Sequence, residues 1–159
     1  MNYEQARAYA VNVSRSGSIL GLDSIENLMH ELGDIQERLK IIHIAGTNGK
    51  GSTGAYLERV LIEARYRVGR YSSPAVFDPM EVWRINLQSM SHEEYADIME
   101  QVKCACDRMV EKGMEHPTIF EVETAMAFLY FYQKKCDYVL LEVGMGGRTD
   151  ATNLIKKPV

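Results

Sequence analysis

Ala45-Gly46-Thr47-Asn48-Gly49-Lys50-Gly51-Ser52-Thr53 is the stretch whose reading decides the fold. It follows an apolar run, Lys40-Ile41-Ile42-His43-Ile44, and precedes a helical pattern from Gly54 to Ala64. Strand, glycine-rich turn and helix together form the layout in which backbone N–H groups and a helix N-terminus cradle phosphate. A lysine in that turn reaches the outer phosphates, and a following hydroxyl holds them or a metal. The usual P-loop spaces its first glycine four residues before Gly-Lys-Ser/Thr. Here Ile44 takes that glycine's place and Gly51 separates Lys50 from Ser52, so the loop reads as a compact variant. The competing reading is a strand-to-helix turn with no ligand. Three glycines, a lysine and hydroxyls packed together weigh against it.

The bulk properties narrow the class. At 159 residues the chain can bury one substantial core. Its net charge of −4 gives no support to a nucleic-acid binder, so phosphate would be met locally, at the loop. Three cysteines, Cys104, Cys106 and Cys136, make no disulfide framework and point to a reducing compartment. Cys104 and Cys106 are spaced to opposite sides of a helix, which argues against a metal pair. No run approaches the ~18 apolar residues of a membrane span, and no signal-peptide pattern opens the chain. A cytoplasmic protein without membrane or nucleic-acid partners is expected.

Around the loop, the remaining elements follow from period and caps. Residues 2–13 read as a helix with Asn2 as N-cap. Asp23 and Glu26 resemble a capping box opening a helix that Gly33 stops. Arg67 to Tyr71 reads as a strand ending in Ser72-Ser73-Pro74, and Trp83 to Leu87 as a short strand. Ligands of open α/β sheets gather beyond strand C-termini, so Ser73 is either near the phosphates or simply a turn serine before proline. Ser91 with Glu94 and Thr118 with Glu121 are capping boxes for two further helices, the second apolar almost all round. Tyr138-Val139-Leu140-Leu141-Glu142-Val143 suits a parallel strand covered on both faces. Glu142 closing it is either a metal-binding acid of Walker-B type or a solvated strand-end carboxylate. The expected fold is α/β, a three-layer, P-loop-type parallel sheet flanked by helices. With few parallel strands before Val159, the sheet looks unfinished, its edge open to self-association.

Several motifs, in order, resemble the folylpolyglutamate synthases and dihydrofolate synthases of the Mur-ligase-like superfamily. They are Leu20-Gly21-Leu22, the loop from Gly46 to Ser52, Ser72-Ser73-Pro74, Thr118-Ile119-Phe120-Glu121, and the run from Leu141 through Gly144-Met145-Gly146-Gly147-Arg148-Thr149-Asp150-Ala151-Thr152-Asn153. The resemblance implies that ATP and Mg²⁺ drive ligation of L-glutamate to a folate or dihydropteroate carboxylate through an acyl phosphate. It implies that Gly46, Thr47, Asn48, Gly49, Lys50, Gly51 and Ser52 hold ATP, with Lys50 offsetting charge on the transferred phosphoryl group. It makes Ser73 and Glu142 metal ligands. It also makes Leu20, Gly21, Leu22, Thr118, Ile119, Phe120, Glu121, Thr149, Asp150 and Ala151 the lining of a pterin or pteroate pocket, with Phe120 as a flat stacking surface and Asp150 as a carboxylate for the amino group.

The chain departs from the family pattern in places. Ala75 follows the Ser-Pro turn, no Asn-Gly precedes Met90, Thr149 replaces a larger apolar residue, and Arg65 replaces a glycine. The family's third metal ligand (a histidine), its modified lysine and its C-terminal glutamate-ligase domain would lie beyond Val159. Residues 1–159 are therefore expected to be the N-terminal part of the ATP-binding domain. Two alternatives stand beside this: an inactive nucleotide-binding fragment, and a Mur-type amide ligase with another substrate.

Overall fold

The computed structural model describes residues 1–15, 21–144 and 148–159. Three short strands, β1 (Ile41–Ile44), β2 (Val68–Tyr71) and β5 (Tyr138–Glu142), pair in parallel with β5 in the middle. An antiparallel hairpin, β3 (Trp83–Ile85) and β4 (Gln88–Ser89), extends the sheet from β2, giving the order β1-β5-β2-β3-β4. The sheet is therefore mixed, a parallel centre with an antiparallel edge. The hairpin turn is Asn86-Leu87, both with positive φ (47° and 70°). Asn86 supports it by donating its N–H to the Val68 carbonyl (3.0 Å) and accepting the Val68 N–H on Oδ1 (2.8 Å).

The helices are unevenly shared between the faces. On one face α1 (Tyr3–Ser14), α2 (Asp23–Glu31), α4 (His92–Glu111) and α5 (Ile119–Gln133) build the large core around Phe128, Phe131, Tyr95 and Met99. On the other, α3 (Lys50–Glu63) is the only helix among the described residues, and it covers Ile44, Val68 and Leu140. The expected capping boxes at Ser91/Glu94 and Thr118/Glu121 form, and the expected N-cap Asn2 belongs to a further box with Gln5. The one expected at Asp23/Glu26 does not form, because Leu22 is the N-cap of α2 and Asp23 is already helical. Val110, on the apolar period of α4, is exposed. Gly69 allows Phe131 to pack closely against β2: a Cβ there would stand 2.6 Å from the ring.

At the C-terminus of α3 the chain leaves through a Schellman motif. Tyr66 N–H reaches the Leu61 carbonyl (3.1 Å) and Arg65 N–H the Ile62 carbonyl (2.9 Å). Arg65 carries the left-handed position, φ 69°. Cys104 is exposed and Cys106 buried, as opposite faces of α4 demand. No described helix is long and apolar enough to cross a membrane.

Candidate functional site

The phosphate loop leaves β1 at Ile44 and enters α3 at Lys50, with Gly49 (φ 78°) as the N-cap of the helix. Residues 45–49 are exposed, so the helix N-terminus is open to a ligand. Only glycine takes the Gly49 conformation without strain. Helix α3 starts at Lys50, earlier than the apolar period suggests, which places Lys50, Gly51 and Ser52 in its first turn. Lys50 Nζ donates to the Gly46 carbonyl, 2.9 Å away, closing the loop on itself.

Beneath the first turn lies a charge cluster that the motifs do not announce. Glu58 in α3 is fully buried, and its Oε2 accepts from Arg70 (3.0 Å) and Arg84 (3.3 Å). Arg70, itself buried on β2, also donates to the Gly51 carbonyl (2.8 Å). Gly54 makes room for this guanidinium, since a Cβ there would come within 3.2 Å of it. The arrangement ties the phosphate loop to β2 and β3. Its sequence signal is a glutamate inside the inward stripe Gly54, Leu57, Glu58 and Leu61.

Glu142 closes β5 opposite Ile44 of β1. It stands two residues after Leu140, which packs on α3, so it shares the sheet face of the phosphate loop. Tyr71 pairs with Leu141, which sets Ser73 just beyond the neighbouring strand end. A hydroxyl and a carboxylate are hard oxygen donors of the kind Mg²⁺ takes. Among the described residues no cluster of three or more His, Cys, Asp or Glu could hold a metal.

Beyond the strand ends opens a cavity of about 830 Å³. Of the predicted pocket residues, Gly21, Thr118, Phe120, Glu121, Thr149, Asp150 and Ala151 line it, joined by Ser73. Leu22 and Ile119 instead pack against the core, and Leu20 lies outside the described residues. Met145, Gly146 and Gly147 also lie outside them. Phe120 rests on the backbone at Gly144, where a Cβ would stand 2.6 Å from its ring.

Two wall carboxylates are engaged internally. Glu121 Oε2 accepts from the Thr118 N–H (2.7 Å), the Thr118 hydroxyl (2.9 Å) and the Ser24 hydroxyl (3.2 Å). Asp150 Oδ1 accepts from the Thr152 N–H (3.0 Å) and hydroxyl (2.5 Å), capping the 3₁₀ turn Ala151–Leu154. With the Thr152 proton committed to Asp150, His43 Nε2 donates to Thr152 Oγ1 at 2.9 Å. Burial holds the His43 pKa below its usual value, against the pull of Asp150. This chain of bonds fixes the loop after β5 to β1. The cavity also has walls that the motifs missed: Arg7, Pro79, Val82, Trp83 and Glu123.

Comparison with known proteins places this arrangement. No protein-family model matches the chain. The dihydrofolate synthase/folylpolyglutamate synthase of Bacillus subtilis is 37% identical over 155 residues, 97% of this chain and 36% of that protein. A folylpolyglutamate synthase solved with AMPPCP and folate superposes with a TM-score of 0.90 at 34% identity, over 100% of this chain and 39% of the other. The chain matches the N-terminal portion of the folylpolyglutamate/dihydrofolate synthase family. A bifunctional folylpolyglutamate/dihydrofolate synthase with Mn, AMPPNP and L-glutamate bound gives a TM-score of 0.85 at 37% identity, over 96% of this chain and 36% of the other. The chain thus spans about a third of the length of the synthases it matches.

Proposed function

We propose that this chain supplies the nucleotide-phosphate and folate-binding surfaces of an ATP-dependent ligase that joins L-glutamate to a folate or dihydropteroate carboxylate. The observation that carries this reading is that both candidate sites are built at the C-terminal ends of the parallel strands: the phosphate loop follows β1, while Ser73 beyond β2 and Gly144 beyond β5 line the Phe120 cavity. The Gly46–Ser52 loop and Glu142 share one face of the strand ends.

In this reading the loop amides and Lys50 bind the β- and γ-phosphates, and Lys50 exchanges its bond to the Gly46 carbonyl for phosphate oxygens. Ser73 and Glu142 hold Mg²⁺, which supplies charge neutralisation when bound. Gly21, Thr118, Phe120, Glu121, Thr149, Asp150 and Ala151 shape the pteroate pocket, with Leu20, Leu22 and Ile119 flanking it. The substrate carboxylate takes the γ-phosphoryl group, and the glutamate amine displaces phosphate from the resulting acyl phosphate. Residues 1–159 form part of the ATP-binding domain, work in the cytoplasm, and leave the remaining chemistry to a domain they do not contain. Among the described residues the outer edge of β1 carries only the Val159 N–H on the Ile41 carbonyl (2.8 Å), and this edge is where a further strand or a second copy would pair.

The test is calorimetric titration of the chain with AMPPNP and Mg²⁺. Binding is expected, and Lys50→Ala should weaken it by at least about tenfold. Unchanged affinity in the variant would remove Lys50 from its role. With ATP, folate and glutamate, the 159-residue chain should release no glutamate-dependent phosphate. Sustained release would show that it is a complete ligase.

A further inference from the structure

The cavity wall holds a carboxylate with no assigned purpose. Glu123 lies on α5 one turn beyond Phe120, an i, i+3 pair about 4.5 Å apart along the helix axis. Its backbone carbonyl is held by the indole N–H of Trp83 at 3.1 Å, so the main chain carrying it is fixed. Unlike Glu121 and Asp150, its carboxyl oxygens receive no hydrogen bond and form no ion pair with a described residue. Arg7, from α1, lines the same cavity. The Tyr95 hydroxyl, buried beside them, feels the charges of both Arg7 and Glu123. Burial pushes the Glu123 pKa up to about 7, and the charge of Arg7 only partly opposes it.

An acid that α5 desolvates without providing a partner is costly, and a ligand with matching donors would relieve that cost. A ring lying on Phe120 would present its edge one helical turn along, where Glu123 stands. We propose that Glu123 reads the ring edge of the substrate, its two oxygens accepting the lactam N–H and the adjacent exocyclic amine of a 2-amino-4-oxo heteroaromatic ring. Two parallel donors facing two carboxylate oxygens form the same fork that makes bidentate pairs strong. The assignment rests on the folate reading above, and it moves the amine-recognising role from Asp150, whose Oδ1 already serves Thr152.

Trp83, the single tryptophan, lines the cavity and provides the probe. The full chain and its Glu123→Gln variant are titrated with folate and with 2-desamino-2-methylfolate, following indole fluorescence, after thermal melts confirm that both proteins fold. Glutamine keeps the volume but sets an amide donor against the ring donors. Folate affinity should fall about 10- to 100-fold in the variant, while affinity for the desamino analogue should change less than about twofold. Equal losses for both ligands, or no loss for folate, would overturn the Glu123 assignment and leave the folate reading standing. Absence of any folate response in the unsubstituted chain would overturn both.

Discussion

Replacing Glu123 by glutamine should make the chain more stable at neutral and alkaline pH while impairing its pocket. Burial raises this carboxyl from 4.5 to about 7. The folded state therefore holds the proton more tightly than the unfolded chain, and stability is fully present below pH ~4.5 and falls as the pH climbs through ~7. Each pH unit between the two values corresponds to about 1.4 kcal/mol, so full ionisation costs the native state about 3 kcal/mol. Glutamine does not titrate. The variant should thus unfold in urea with a gain of about 3 kcal/mol at pH 8, or a rise of roughly 8 °C in melting temperature for a chain of this size. The gain should shrink to near zero at pH 4.5, where both side chains are neutral. Parallel melting curves for the two proteins from pH 4.5 to 8 would refute the reasoning, since they would mean that Glu123 titrates as it does in the unfolded chain.

Two further perturbations probe the frame of the site. Glu58→Ala leaves Arg70 buried without its carboxylate, and should cost about 3–5 kcal/mol in urea denaturation; a loss below 1 kcal/mol would show that the cluster is solvated. Arg65→Gly relieves a left-handed arginine (φ 69°) at the end of α3. The strain of about 1–2 kcal/mol, offset by about 0.4–1 kcal/mol of added unfolded-state entropy, predicts a net gain near 0.5–1 kcal/mol. A lower melting temperature than that of the parent would contradict it.

The parallel centre of the sheet was legible because its signals are local. Apolar runs marked β1 and β5, a short stretch ending in Ser72-Ser73-Pro74 marked β2, the glycine-rich loop marked where β1 turns into α3, and three Ser/Thr/Asn caps fixed helix starts within a residue. The β3–β4 hairpin was only half legible. Its turn, Asn86-Leu87, contains no glycine and persists because Asn86 bonds Val68 twice, a contact across 18 residues that no local pattern carries. The α2 start was misread because Asp23 and Glu26 have capping-box spacing, yet the chain turns helical at Leu22 without a side-chain cap. In the cavity, the motif residues were found through a resemblance. Arg7, Trp83 and Glu123 come from three separate elements, and only the fold brings them to one wall.

Glu58 and Glu123 show how structure separates two acids that look alike in sequence. Both are glutamates set among apolar neighbours on helices that flank the sheet. Glu58 has two guanidinium partners on strands β2 and β3, and one of these, Arg70, reaches the phosphate-loop helix. Removing either side of that cluster strands a buried charge, which is the behaviour of a structural pair. Glu123 has no such partner among the described residues and faces a cavity large enough for a substrate. The charge of Arg7 recovers only part of its desolvation cost, so deleting its own charge should stabilise the fold. A side chain whose loss strengthens the protein and weakens its pocket is one held for a ligand. The opposite responses of these two glutamates in the same denaturation assay therefore bear on function as directly as a binding curve does.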